Sequence, residues 1–207
     1  MGIKMRKRGF FCVLLLAAFL LCSCGAARFE ATETGYTDTK SGRHYTALAS
    51  CFEAAGGGET VGEYVDEVHG RVVTFRVIPE ADATRFLTDE YGFVYCTDEK
   101  EPDASAWNVS VILVCEEDVI SVEKNRLTDS AVIAQVMDVW FEGEDADRPM
   151  EKATHIRRLK LSSKDCPGVY YCFSYYVYED GTGYFYDSES RRTVMLPAEL
   201  VAAIPII

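Results

Sequence analysis

Nine of the chain's 25 aromatic residues fall between residues 169 and 187, which makes this stretch the first place to look for chemistry. They are Tyr170, Tyr171, Phe173, Tyr175, Tyr176, Tyr178, Tyr184, Phe185 and Tyr186. Alternation along a strand sends Tyr171, Phe173 and Tyr175 into a core and leaves Tyr170, Tyr176 and Tyr178 on the opposite face. Exposed tyrosines offer a flat apolar body with a hydroxyl, suited to a sugar ring or a protein surface. Tyrosine is also simply a good strand former, so composition alone does not separate a platform from a wall. These three tyrosines are the candidate ligand contacts.

Other reactive types lack the spacing that their chemistry needs. Glu142, Glu144, Asp145 and Asp147 crowd four carboxylates together, yet the Asp-rich calcium loop is missing. Ser121-Val122-Glu123-Lys124 fits Ser-x-x-Lys without the companion motifs of that chemistry. His44 and Cys51, taken on one helix face, stand about 10 Å apart, too far for a base to activate a thiol. No phosphate loop, nucleophile elbow or paired-histidine zinc motif occurs. No catalytic residue, metal ligand set or cofactor site is therefore assigned. Once Cys12, Cys22 and Cys24 are set aside, Cys51, Cys96, Cys115, Cys166 and Cys172 remain, an odd number. Cys166 with Cys172 is the nearest pair for a disulfide, while buried free thiols fit the apolar runs around Cys96, Cys115 and Cys172.

The first 24 residues carry a different signal. Lys4, Arg6, Lys7 and Arg8 precede an unbroken apolar run from Phe10 to Cys22, and Leu21-Cys22-Ser23-Cys24 closes it. Thirteen residues as a helix reach about 20 Å, short of the roughly 30 Å hydrocarbon core, so a permanent span is disfavoured. A basic flank, a short apolar run and small residues at its end are the layout of a cleaved export signal. This stretch resembles a bacterial lipoprotein signal with its lipobox. The resemblance implies cleavage before Cys24, a diacylglyceryl group on that cysteine and residence at the extracytoplasmic face of the cell membrane. Two acyl chains supply stable anchoring. Cleavage after Ala27 and a retained anchor are the alternatives.

Composition bounds the remainder of the chain. Residues 1–23 hold four bases and no acids, so the mature chain has 17 bases against 33 acids and a net charge of −16. Such a chain repels nucleic acid and anionic headgroups, which excludes nucleic acid as a partner. Small and polar residues predict a flexible tether over 24–42, about 23 Å long on average, ahead of one globular domain over 43–207.

Within that domain, Tyr45, Leu48, Ala49 and Phe52 recur at helical spacing, as do Val61, Tyr64, Val65 and Val68 behind a Thr60/Glu63 capping box. Period-two alternation predicts strands at 71–77 and 107–115, a second strand at 119–123, and hairpins at 85–97 and 169–187. A further strand is expected at 154–161 and a short one at 193–196. Asp89–Tyr95 and Asp180–Tyr186 share Asp-x-x-Gly-aromatic-x-Tyr, a pattern on which hairpin turns converge. Ile133, Val136, Met137, Trp140 and Phe141 form the clearest helical stripe, between Asp129 and Gly143, and Pro197 opens a last helix. The fold class expected is α+β: a mostly antiparallel meander sheet, one main amphipathic helix packed on it, and short helices near the ends.

The function expected is a membrane-anchored binding module of the cell envelope, its partner an envelope glycan or a protein. The alternatives are a glycosidase-like envelope hydrolase with a dispersed carboxylate site, or a structural subunit of an envelope complex.

Overall fold

A computed structural model describes residues 28–98, 100–117 and 121–206; the lipobox and Cys24 lie outside these. Among the described residues, 44% are in strands and 13% are helical, which overturns the α+β expectation: the protein is a β-rich fold of two sheets.

The first sheet comprises β1 (Phe29–Ala31), β2 (Gly35–Asp38), β3 (His44–Ala47), β5 (Thr60–Asp66), β6 (Arg71–Val77), β7 (Phe86–Thr88) and β8 (Val94–Cys96), in the order β1-β2-β3-β8-β7-β6-β5. Every adjacent pair is antiparallel. The sheet curls until its ends meet, where the Arg28 amide donates to the Glu63 carbonyl at 2.9 Å. Aromatic rings fill the interior: Phe75 packs on Phe29 at 4.3 Å, Tyr36 at 4.9 Å and Tyr95 at 5.2 Å between centroids. A barrel this narrow needs large side chains to exclude voids.

The second sheet contains β9 (Val109–Glu117), β10 (Ser121–Leu127), β11 (His155–Ser163), β12 (Val169–Val177), β13 (Gly183–Tyr186) and β14 (Thr193–Met195), ordered β10-β9-β11-β12-β13-β14. Strand β4 (Phe52–Ala54) joins it beside the start of β12. Helix α1 (Ser130–Glu142) covers one face, capped by the Asp129 carboxylate, which accepts from the Ala131 and Val132 amides. The short helix α2 (Ala198–Ala203) lies beside it. Trp140 of α1 stacks on Phe173 at 4.5 Å over a floor of Ile112, Val114, Leu159, Leu161 and Phe185. A third apolar cluster, including Phe52, Ile78, Phe86, Val94, Trp107 and Val169, packs between the sheets and makes them one body.

The stretch read as a tether is sheet from residue 29 onward, and Phe29 is 1% exposed. Its strands are three and four residues long, and each offers one ring, the buried Phe29 and the partly buried Tyr36, as its apolar signal. The two helices expected near Tyr45 and Val61 are instead β3, β4 and β5. Tyr45 faces the barrel interior whereas Leu48 and Phe52 face the junction between sheets, so two different cores mimic one helical face. In β5, pairing of Tyr64 with Val73 and of Val65 with Val72 wins over the capping pattern, in keeping with the strand preference of Val and Tyr.

The later elements fall close to where the sequence places them: β6, the β7–β8 and β12–β13 hairpins, β9, β11, β14, α1 and α2. Gly92 and Gly181, from the shared hairpin pattern, take φ of 88° and 83°, which glycine adopts freely. Cys51, Cys96, Cys115, Cys166 and Cys172 are all free and buried. Cys166 packs in the junction core, while Cys172 lies inside β12 on the sheet face that carries Glu53, so the pair nearest in sequence does not meet as a disulfide.

Candidate functional site

Strand β12 separates its aromatics as alternation requires. Phe173 and Tyr175 are fully buried beneath α1, and Tyr171 is partly buried on the same side. Tyr170 and Tyr176 point the other way, but six residues of extended strand hold them about 20 Å apart. Tyr170 is half-buried opposite Ser162 and Glu53, and burial raises its hydroxyl pKa. Tyr178, just past the strand, is 7% exposed and packs edge-on against Tyr184 at 5.6 Å. The three candidate tyrosines therefore do not form one exposed row; Tyr176 and Tyr178 share a groove, and Tyr170 stands elsewhere.

That groove is built by a crossing loop. After α1 the chain pairs with β14, where the Ala146 amide donates to the Thr193 carbonyl at 2.8 Å, and it enters β11 where the Thr154 amide donates to the Val177 carbonyl at 2.8 Å. Between these points residues 147–153 cross the hairpin face that α1 leaves open. Arg148 is laid over two rings, 4.4 Å from the Tyr186 centroid and 5.2 Å from that of Tyr176, which meet edge to face at 5.8 Å. The resulting groove encloses about 860 Å³ and is lined by Tyr176, Tyr178, Tyr186, Arg148, Lys152 and Arg191, among others. A smaller cavity of about 340 Å³ lies on the other side of the loop, against Tyr178 and Tyr184. Asp147 and Glu151 also line it. Aromatic faces beside both donors and acceptors suit a polar ring compound bearing hydroxyls.

Two further clusters bear on function. Glu53 accepts from Arg158 at 2.9 and 2.7 Å and from Lys160 at 2.6 Å, tying β4 to β11 across β12. Burial works against the Glu53 charge, but the Lys160 and Arg158 contacts outweigh it and hold the carboxyl below its usual range. Next to this staple, burial raises the Cys172 thiol pKa.

The second cluster lines a cleft of about 430 Å³ between the sheets, where Glu101, Asp187 and Glu189 stand near Tyr171, Trp140 and Cys51. This is the arrangement that a dispersed hydrolase site would need, and each carboxylate has another task. Glu101 accepts from the Ala49 amide at 2.7 Å, and Glu189 from the Ser50 amide and hydroxyl at 2.7 and 2.6 Å. Asp187 accepts from the Glu189 and Ser190 amides and the Ser190 hydroxyl, closing its own turn. Burial, reinforced by Asp187, Glu101 and Glu189, pushes the Cys51 thiol up to about 12, so it stays protonated rather than nucleophilic. His44 bonds to Thr34 and Thr37 on the first sheet. Of the acidic run after α1, Asp145 lies 3.5 Å from Arg192. No group of three or more His, Cys, Asp or Glu able to hold a metal ion occurs among the described residues.

Sequence reasoning missed Tyr186 and Arg148 as a pair with Tyr176. Hairpin register supplies part of the signal, since Tyr176 pairs with Tyr184 and Tyr186 lies two residues on, on the same face. Nothing local reports that a loop 30 residues upstream returns to cover them.

Compared with protein-family models, curated proteins and solved structures, the chain matches none.

Proposed function

We propose that the protein is a lipid-anchored module of the extracytoplasmic membrane face that binds a saccharide of the cell envelope in the tyrosine groove. One observation carries the ligand reading: Tyr176 and Tyr186 with Arg148 across them form an aromatic and cationic wall in a groove of about 860 Å³. Pockets that take sugars combine flat apolar faces with a few fixed polar donors, and this wall supplies both. The lipobox at Leu21–Cys24 supports the anchor and the location. No helix among the described residues is long and apolar enough to cross a membrane. In this reading two acyl chains on Cys24 supply the membrane attachment.

Binding of the mature chain to a glycan array tests the groove. Tyr176→Ala and Tyr186→Ala are each expected to weaken binding about tenfold or more, from loss of a ring contact and of the seat for Arg148. Binding that both variants retain in full refutes the groove as the site. A hydrolase centred on the inter-sheet cleft is the weaker reading, because its carboxylates are engaged in holding the 48–51 and 187–190 segments.

A further inference from the structure

Arg28 is fixed on every side. Its amide donates to the Glu63 carbonyl, its guanidinium to the Val61 carbonyl at 2.8 Å and to both Asp38 oxygens at 2.8 and 2.6 Å. Its own carbonyl accepts from the Thr39 amide and the Thr39 hydroxyl, each at 2.8 Å, so the turn between β2 and β3 is bonded to the residue at which the described chain begins. Four peptide units separate Arg28 from Cys24, and a chain reaches at most about 3.3–3.6 Å per residue, so the two lie within about 14 Å. The headgroup layer takes up roughly 5–7 Å of that reach.

Topology then decides which end of the barrel faces the lipid. Six antiparallel steps separate β1 from β5, so these two strands point the same way where the sheet closes. The chain enters at the start of β1, and the β2–β3 turn lies at that end. The β5–β6 turn around Val68 and the β7–β8 turn around Tyr91 lie at the opposite end, along with the exposed Val65, Val72 and Phe93.

We infer that the β2–β3 turn, Thr39–Arg43, rests on the phospholipid headgroups, with Lys40 and Arg43 against lipid phosphates and the apolar hairpin tips turned away from the bilayer. This rests on the reading that Cys24 carries lipid. Lys40 and Arg43 are both exposed. Facing them are Asp38, which Arg28 neutralises, and Asp82, which lies within electrostatic reach of Arg43; the β6–β7 loop and the end of β8 bring Glu80 and Asp98 to the same end, Asp98 being paired with Arg85 at 2.6 Å. The domain as a whole is repelled by anionic lipid, so the anchor supplies the affinity and this turn supplies the orientation. A reach of four residues replaces the tether over 24–42 that composition suggested.

The test places a nitroxide at Ser41→Cys or, as control, at Val68→Cys in the full-length lipidated protein on phosphatidylglycerol vesicles. In the cleaved, lipidated chain the remaining thiols, Cys51, Cys96, Cys115, Cys166 and Cys172, are buried, which keeps labelling at the introduced site. Position 41 is expected to lose most of its accessibility to a water-soluble nickel chelate on anchoring, while position 68 keeps it. Lys40→Glu/Arg43→Glu is expected to restore accessibility at position 41. An anchored protein with position 41 as exposed as in the soluble Cys24→Ser form overturns the orientation alone. Protection that survives the double charge reversal overturns the headgroup role of Lys40 and Arg43. Membrane retention of Cys24→Ser refutes the anchor, and the orientation falls with it.

Discussion

At the scale of single residues, the strongest commitments are buried ones. Trp140 stacks on Phe173, meets Phe185 edge-on at 6.3 Å and donates its indole N–H to the Tyr171 hydroxyl at 3.2 Å. Trp140→Ala removes all three contacts and leaves a cavity, so urea unfolding is expected to show a loss of about 3–5 kcal/mol. Glu53 makes a pH-dependent contribution. Its carboxyl pKa is depressed in the folded state, so the stability it confers is present above the ordinary Glu range and is lost as pH falls through the lower folded value. The urea midpoint of the wild type should therefore fall more steeply than that of Glu53→Gln on acidification below about pH 4.5. Equal slopes would remove Glu53 from the acid response. The free cysteines give a third check: native protein should resist alkylation at Cys51, Cys96, Cys115, Cys166 and Cys172, and all five should react in denaturant without reductant.

Among the elements, the strands that the sequence hides are the ones that close the first sheet. A chain shortened to begin at Arg43 loses β1 and β2, removes Phe29 from the barrel core and leaves β3 and β5 with unpaired edges. Such a chain is expected to expose apolar surface and bind a hydrophobic dye that the chain starting at Arg28 does not bind. Identical dye binding by the two would return residues 28–42 to a tether. Gly35 sharpens the same point, because a Cβ there would stand 2.0 Å from the Tyr45 carbonyl oxygen, and no side chain fits where β2 meets β3. Helix α1 is the converse case, an element that announces itself. Asp129→Ala should cost about 1 kcal/mol through loss of its N-cap, read by thermal or urea unfolding.

For the whole molecule, legibility followed the length of the elements and the number of cores that each one serves. Val73, Phe75 and Val77 alternate over seven residues of β6, and the apolar stripe of α1 runs for three turns, so local periodicity was enough. Phe29–Ala31 and Phe52–Ala54 span three residues each and bury one aromatic ring apiece, and no period can be read from that. The aromatic hairpin was legible as a hairpin and its inward row as core, and strand rise alone separates Tyr170 from Tyr176, whereas the grouping of Tyr176 and Tyr178 with Arg148 required the 147–153 loop to return across the sheet. Local spacing carries the lipobox resemblance, the acidic balance, the helix behind Asp129 and the hairpins, because charge, caps and alternation act within a few residues of one another. The two sheets, the place of residues 29–47 in the first of them and the groove over the tyrosines emerge only when the chain folds. Each of these depends on which distant segments share a core, and burial against a distant partner leaves no mark on local spacing.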